Sequence, residues 1–325
     1  MTCCSSSTDI IVSTFESAKV SAAEEGEMNT TLCCASCGIA GVDDIKLKEC
    51  NGCDLVKYCS DECQEDHRPK HKEECKKRAA ELLDEFLFKQ TESSCYGDCP
   101  ICCLPIPIDP QKSVLSSCCS KTICNGCDYA NKKREAEGRL EQKCLFCRRA
   151  LAISDEEIIE RWMKRIEAND PVAMRHIGIK IWEDGDYNSA FQYYTKAAAL
   201  GDIIAHYQLS CLYRGGKGVE KDEKKSLYHA EQAALGGHPA ARNNLGCAET
   251  QHGRYDKAAK HFIIAANLGY DDSLKSVRDL YKTGHVSKED FATALRGHKA
   301  AIDATKSPQR EEAAAILAER DRRSI

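Results

Sequence analysis

The sequence predicts two small cysteine-rich modules braced by metal ions, followed by an all-α solenoid of repeated helix pairs. Two observations predict this fold class. Of the 22 cysteines, 20 lie at or before Cys147, many of them in closely spaced pairs. Beyond Cys147 cysteine nearly vanishes, and an alanine–glycine motif recurs at steps of 32 and 36 residues. The chain therefore changes from metal-braced loops to stacked helices shortly after Cys147.

The first cysteine-rich module spans residues 34–75 and offers eight ligand-type side chains. In chain order these are Cys34, Cys37, Cys50, Cys53, Cys59, Cys63, His71 and Cys75. A Cys-x2-Cys step lets two thiolates reach one metal from a tight turn, and tetrahedral Zn²⁺ takes four such ligands. His71 and Cys75 are one helical turn apart, so a helix would direct both at one ion. The series predicts two zinc ions.

The second module spans residues 99–147 and offers eight more ligands. They are Cys99, Cys102, Cys118, Cys119, Cys124, Cys127, Cys144 and Cys147. The prolines between Leu104 and Pro110 remove backbone donors and fix φ, which predicts an extended loop there. The polar run Asp128–Leu140 is predicted to form a helix between the last two ligand pairs. With two ions in each module, we expect about four structural Zn²⁺ in the chain.

A repeat organises the sequence after residue 153. The motif Ala197-Ala198-x-x-Gly201 recurs as Ala233-Ala234-x-x-Gly237 and as Ala265-Ala266-x-x-Gly269. A small residue lies four positions after each glycine, at Ala205, Ala241 and Ser273, and Ala173 begins the same series. Each unit is predicted to be a helix pair with glycine turns, which buries its apolar face only by stacking on its neighbours. The end of the chain, Glu311–Arg323, is predicted to be a solvent-facing helix.

Composition narrows the functional classes. The formal net charge is −5, which argues against a mainly electrostatic grip on nucleic acid. No stretch approaches the roughly 18 apolar residues of a membrane span, and Met1–Met28 lacks the pattern of a signal peptide. We therefore expect a reducing compartment, the cytoplasm with the nucleus as an alternative, where Cys-x2-Cys pairs favour metal over disulfides. Residues 1–30, with Cys3 and Cys4, are expected to be disordered.

Residues 34–75 resemble a MYND-type zinc finger over the whole eight-ligand pattern. The resemblance implies cross-braced ions, one held by Cys34, Cys37, Cys59 and Cys63, the other by Cys50, Cys53, His71 and Cys75. Spacing alone also allows a sequential pairing. MYND fingers are protein-interaction modules, and many carry a tryptophan three residues before the ligand histidine, where this chain has Arg68. Cys33 and His67 are expected to be spare.

Residues 99–147 resemble a RING-type finger, which opens with Cys99-Pro-Ile-Cys102 and closes with Cys144-Leu-Phe-Cys147. The resemblance implies one ion on Cys99, Cys102, Cys124 and Cys127, and a second on Cys144 and Cys147 with residues near Cys119. Lys121 stands where the family has a histidine, and an ammonium has no lone pair to donate. Cys118 is therefore expected to complete an all-cysteine site, although adjacent ligands on one ion are geometrically awkward. Cys95 and Cys103 are expected to be spare.

Residues 169–285 are similar to Sel1-like repeats, relatives of the tetratricopeptide class, whose solenoids bind other proteins. The strongest local match is Gly216-x-Gly218-Val219-x-x-Asp222. The predicted domains are an N-terminal disordered segment 1–30, a MYND finger 31–75, a linking helix 76–94, a RING-like finger 95–152, a Sel1-like solenoid 153–305 and a C-terminal helical tail 306–325.

Three functions are compatible with these features to different degrees. The first is a zinc-stabilised scaffold or adaptor that holds protein partners with its MYND finger and solenoid. The second is a RING-type ubiquitin ligase, in which Ile101 and Arg148 would contact a ubiquitin-conjugating enzyme. The third, nucleic-acid binding through the lysines of the first module, is disfavoured because acids alternate with them. No phosphate loop, nucleophile elbow or zinc-protease motif is present in the sequence, so no catalytic residue is predicted.

Overall fold

The computed structural model describes residues 33–41 and 46–323, in two compact units that divide between Lys89 and Gln90. The segment expected to be disordered, residues 1–30, lies outside the described residues. No helix in the described part of the chain is long and apolar enough to cross a membrane.

The first unit is a two-stranded hairpin followed by one long helix. Strand β1 (Lys48–Glu49) pairs antiparallel with β2 (Lys57–Tyr58), and α1 runs over Asp61–Leu87. The helix begins because the Ser60 side chain accepts a hydrogen bond from the backbone N–H of Cys63, 3.2 Å away. Arg78 of α1 donates to both carboxylate oxygens of Asp54, at 2.8 and 2.9 Å. This bidentate pair ties the helix to the hairpin loop.

The second unit opens with a compact β-hairpin and helix. Strand β3 (Ser113–Ser116) pairs antiparallel with β4 (Lys121–Cys124), with Ser113 opposite Cys124. The loop before β3 has no helix as far as Pro107, as predicted, but the chain bends at Ile108 and Asp109 and forms a 3₁₀ turn at Pro110–Lys112. Helix α2 (Asn125–Glu137) follows β4 directly, so the predicted helix exists but begins and ends three residues earlier than the predicted Asp128–Leu140.

The rest of the second unit is a stack of helices joined by short turns. These helices are α3 (Asp155–Glu167), α4 (Pro171–Glu183), α5 (Tyr187–Ala199), α6 (Ile203–Gly215), α7 (Glu223–Leu235), α8 (Pro239–Gln251), α9 (Tyr255–Asn267), α10 (Asp271–Lys282), α11 (Lys288–Ala304) and α12 (Pro308–Arg323). The predicted solenoid of repeated helix pairs is thus confirmed.

Small residues at the repeat positions let the paired helices approach closely. All but one of the predicted alanine and serine positions are fully buried, namely Ala173, Ala197, Ala205, Ala233, Ala234, Ala241, Ala265, Ala266 and Ser273; Ala198 is 8% exposed. In the first and third helix pairs, a glycine of one helix faces an aromatic ring of the next. A Cβ added to Gly178 would lie 2.7 Å from the Tyr194 ring, and one on Gly246 would lie 2.6 Å from Phe262. In the middle pair the equivalent residues are Ser210 and Ser226, which are joined by a 2.9 Å hydrogen bond.

One further position recurs at the repeat steps, the N-cap of each first helix. It is occupied by Asp170, Asp202, His238 and Tyr270, and these four residues are called the N-cap row. The Asp170 carboxylate accepts from the N–H of Val172, that of Asp202 from Ala205, and the His238 ring from Ala241. Each of these three side chains thereby satisfies a backbone donor that the helix itself cannot, whereas Tyr270 makes no side-chain cap.

The second zinc module docks along the N-cap row. Ser120 donates to Asp170 over 2.7 Å, and the backbone N–H of Cys95 donates to the Gly237 carbonyl over 3.1 Å. A side chain at Gly237 would meet the Ser93 carbonyl at 2.7 Å, and its φ is +80°. Both facts require glycine there. The module and the helical stack therefore form one packed unit.

The C-terminal helix is not solvent-facing on all sides, so that expectation was wrong. Ala313 of α12 is fully buried, and Lys133 of α2 pairs with Glu312 at 3.1 Å. Arg310 donates to the carbonyls of Pro105 and Leu104, at 2.7 and 3.1 Å. The polar sequence hides this role because the partners of Arg310 are backbone carbonyls about 200 residues away.

Candidate metal centres

The first cluster gathers four thiols from three parts of the first unit. The sulfurs of Cys34, Cys37, Cys59 and Cys63 all lie within 4.8 Å of one another. Cys37 and Cys59 are 3.5 Å apart, and Cys59 and Cys63 are 3.6 Å apart. A zinc ion with S–Zn bonds of about 2.3 Å needs sulfurs about 3.8 Å apart. The four thiols therefore fit one tetrahedral ion.

The second cluster joins the hairpin to α1. Cys50, Cys53, His71 and Cys75 offer ligand atoms within 4.8 Å of one another. Cys50 and Cys75 are 3.7 Å apart, and the Nε2 atom of His71 is 3.1 Å from the Cys53 sulfur. Glu74 lies 3.7 Å from the other ring nitrogen, where a carboxylate can orient the imidazole for a metal. In both clusters the structure brings together the cross-braced sets that the MYND resemblance implies, rather than sequential ones.

The second module repeats this interleaved arrangement. Cys99, Cys102, Cys124 and Cys127 form one cluster, and Cys118, Cys119, Cys144 and Cys147 form another. In the latter, Cys118 lies 3.2 Å from Cys147 and Cys119 lies 3.6 Å from Cys144. The turn before β4 thus directs both adjacent cysteines to one point. Lys121 is exposed on β4 and is no member of either cluster.

Three of the Cys-x2-Cys pairs lie in three separate backbone turns that have the same geometry. In the turns that begin at Cys34, Cys99 and Cys144, the N–H four residues on donates back to the first cysteine's carbonyl, over 2.8 to 3.0 Å. That fourth residue is left-handed each time: Gly38 at φ +75°, Cys103 at +55° and Arg148 at +62°. Only glycine adopts this region without cost, so Cys103 and Arg148 carry strain of about 1 kcal/mol.

These turns prepare the first thiol of each pair for metal. Burial raises the pKa of Cys34, Cys99 and Cys144. Hydrogen bonds from the backbone N–H groups of the second cysteine of each pair, and of the residue just before it, lower the pKa by more. The pKa of each falls to about 6. A thiolate is the form that binds zinc, so the backbone holds three of the ligands ready to coordinate at neutral pH.

The residues expected to be spare lie outside the clusters. Cys33, Cys95 and Cys103 belong to none of them. Cys95 packs against the helical stack, where burial raises its pKa to about 12. His67 is more ordered than expected for a solvated residue, because its Nδ1 atom bonds the Tyr58 hydroxyl at 3.0 Å and its ring stacks on His71. The described cysteines are all free thiols.

Two histidines of the repeats, His176 and His238, serve packing. His238 caps α8, and its ring stacks on Tyr207 with centroids 4.2 Å apart. His176 stacks on Trp162, at 5.2 Å. No third His, Cys, Asp or Glu ligand atom of the described chain joins His206 and His229 in a cluster.

Comparison with known families agrees with this geometry. The model of the MYND finger family matches residues 34–75, the span of the first two clusters. This segment is a MYND finger. The Sel1 repeat model matches three consecutive stretches, residues 176–202, 203–238 and 239–270. The helical stack therefore carries Sel1 repeats, and the chain combines a MYND finger with a Sel1 solenoid and further cysteine clusters that can bind zinc. For residues 99–147, RING type stays a prediction.

Individual relatives resemble parts of the chain. An uncharacterised protein of Neisseria meningitidis is 31% identical over 121 residues, which is 36% of this chain and 25% of that protein. The chain thus spans about a quarter of that relative's length. Among solved structures, a Sel1 repeat protein from Oxalobacter formigenes is 25% identical with a TM-score of 0.42, covering 55% of this chain and 80% of the other. A protective antigen of uropathogenic Escherichia coli is 24% identical with a TM-score of 0.38, covering 52% and 37%.

Proposed function

We propose that the protein is an adaptor in which the MYND finger and the Sel1-containing unit each bind a separate protein partner. The observation that carries this proposal is that every cluster has four protein ligands. Four ligands fill a tetrahedral zinc, so no position is left for a substrate or an activated water, and the ions act as structural braces. MYND fingers and Sel1 solenoids both support a role in protein interaction. We place the adaptor in a reducing compartment, the cytoplasm or the nucleus, because cysteines that bind zinc must stay reduced.

The partner surface of the second unit is composite. Tyr96 lies beside His238 with ring centroids 6.0 Å apart, and Ser120 bonds Asp170 of the N-cap row. A partner that binds beside the N-cap row would therefore also meet the segment around the second module. A fragment that begins at residue 153 would expose the face of the helical stack that the second module covers. The chain is therefore divided between residues 89 and 90 in the experiment below.

A bridging experiment tests the adaptor role. Residues 33–89 and 90–325 are each used as bait to capture a partner. The partner of one fragment is then immobilised, and the partner of the other is labelled. The full chain should bring the labelled partner onto the immobilised one, and either fragment alone should not. Cys34→Ser, which removes a ligand of the MYND finger, should abolish bridging but leave capture by the second unit intact. Partners that compete for one unit, or fail to bridge, would refute two-sided binding.

A ligase function of the second module is the second candidate. Ile101 supports it, because this aliphatic side chain is 45% exposed beside Cys102, where a conjugating enzyme could contact it. Against it, Lys121 stands where the RING pattern has a histidine, and Leu145 stands where proline is common in RING fingers. The full chain is incubated with a panel of ubiquitin-conjugating enzymes. Transfer that is lost in Ile101→Ala, and reduced in Arg148→Gly, would support the ligase. Arg148→Gly is informative because it removes the cation while glycine keeps the left-handed turn. Absence of ubiquitin transfer across the panel, with zinc fully bound, would exclude the ligase function and leave the adaptor function as the remaining candidate.

A further inference from the structure

A cleft opens inside the second unit between the segment that enters the second module and the last helices of the helical stack. Its volume is about 620 Å³, within the range of small-ligand and peptide pockets. One wall is the extended run that contains Pro105, Ile106 and Ile108, and the other holds Leu268 and Ile302 of the turn after α9 and of α11. The apolar side chains of both walls, with Ile108 and Ile302 among them, form what is called the floor of the cleft, and extended backbone lies along one side.

The rim of this cleft is acidic. Its lining contains five carboxylates and two lysines; these are Glu92, Asp98, Asp109, Asp271 and Asp272, with Lys112 and Lys275. Both lysines are already engaged, because Lys112 lies 3.8 Å from Asp109 and Lys275 lies 2.8 Å from Asp272. Asp271 accepts a hydrogen bond from His298 at 2.8 Å. Within the described chain, the carboxylates of Glu92 and Asp98 have no cationic partner.

Helix stability explains only part of this charge. Asp271 and Asp272 lie in the first turn of α10, where acids favour the helix N-terminus. Asp109 caps the 3₁₀ turn by accepting from the N–H of Gln111 at 3.0 Å. Glu92 and Asp98 belong to no helix and are exposed. Their charge over an apolar floor is complementary to a ligand that carries both cations and apolar groups.

We propose that this cleft binds an extended basic segment of a partner protein. Its apolar side chains lie on the floor beside Ile108 and Ile302, and its lysine or arginine side chains pair with Glu92 and Asp98. This inference deepens the proposed adaptor function, on which it rests, by naming the chemistry of one partner. Packing of the second module against the helical stack creates the site, since each supplies one wall.

The test uses the full zinc-loaded chain and a defined probe. The probe is a fluorescein-labelled nine-residue peptide in which lysines alternate with leucine and valine, and its binding is followed by fluorescence anisotropy. The matched peptide carries glutamate in place of each lysine. Wild type should bind the lysine peptide and not the glutamate peptide. Glu92→Lys with Asp98→Lys should weaken binding about tenfold or more, since like charges replace two attractive contacts.

Two further variants separate a site from general attraction to an acidic protein. The control pair is Glu65→Lys with Glu220→Lys, which makes the same charge change at exposed acids outside the cleft; it should bind nearly as wild type does. Ala304→Trp, which fills the cleft without changing charge, should also weaken binding. Zinc content and melting temperature confirm that each variant is folded.

Equal weakening by the two charge-reversed pairs would overturn the proposal, as would equal binding of both peptides or no effect of Ala304→Trp. No binding of the lysine peptide at millimolar concentration would overturn it as well. The bridging experiment is independent of this cleft. A failed peptide test with successful bridging removes only the basic-segment site, whereas failed bridging removes the adaptor itself.

Discussion

Arg310→Ala tests whether the C-terminal helix fastens the second zinc module to the repeats. The Arg310 guanidinium donates to the carbonyls of Pro105 at 2.7 Å and Leu104 at 3.1 Å, and to the sulfur of Cys102 at 3.4 Å. Alanine removes a charged donor and leaves these acceptors without it. Hydrogen bonds to charged groups contribute about 1.5–3 kcal/mol each and are not additive. We expect the free energy of unfolding to fall by about 2–4 kcal/mol.

The assay combines urea denaturation with hydrogen exchange. The amides of α2 and α12 should exchange faster in Arg310→Ala, because each helix loses its cover, while those of α5 to α9 should keep their protection. Arg322→Ala is the matched control, since Arg322 lies on the same helix and is exposed. It should cost under about 0.5 kcal/mol, as surface substitutions do. Equal effects of the two substitutions would refute the claim that Arg310 holds the module in place.

Three other predictions follow from packing, protonation and metal. Gly246→Ala should lower stability by about 1–3 kcal/mol in a thermal melt, because its methyl group meets the Phe262 ring at 2.6 Å, whereas Gly215→Ala has room and should not. Burial and the charge of Arg175 lower the pKa of His238 to about 4. The unfolded chain, with a histidine pKa near 6.5, then binds the proton first. Stability should fall by about 2 kcal/mol between pH 7 and pH 5 through this group, and by less in His238→Asn, which keeps an N-cap acceptor; equal pH profiles would contradict this. A zinc chelator should unfold residues 33–89 in circular dichroism while most helicity of residues 90–325 survives, and unchanged ellipticity of the small fragment would contradict the metal assignment.

The fold class could be predicted because its signals are local or periodic. The Cys-x2-Cys steps and the alanines at fixed spacing each carry their own physical reason, and the structure buries Ala205 and Ala241 completely. The convergence of Cys118 and Cys119 was harder to predict, since adjacent residues ordinarily diverge. The turn before β4, with Ser120 at φ +54°, reverses the chain just after them.

The docking of the second module could not be predicted from patterns. Its contacts join residues far apart in sequence, such as Ser120 with Asp170 and Arg310 with Leu104. One signal was available, because Asp170, Asp202 and His238 recur at the same steps as the alanines and two of them precede a proline. That pattern is typical of helix N-caps. It gives the helix starts, but not the surface that packs on them.

Zinc content of the purified full chain tests the central claim most directly, that both cysteine-rich modules are built on metal. Metal analysis under conditions that never strip zinc should give about four equivalents per chain, one for each four-ligand cluster. Cys118→Ser should lower the value toward three, whereas Cys95→Ser, outside the clusters, should leave it unchanged. Two equivalents or fewer in the wild type would contradict the claim.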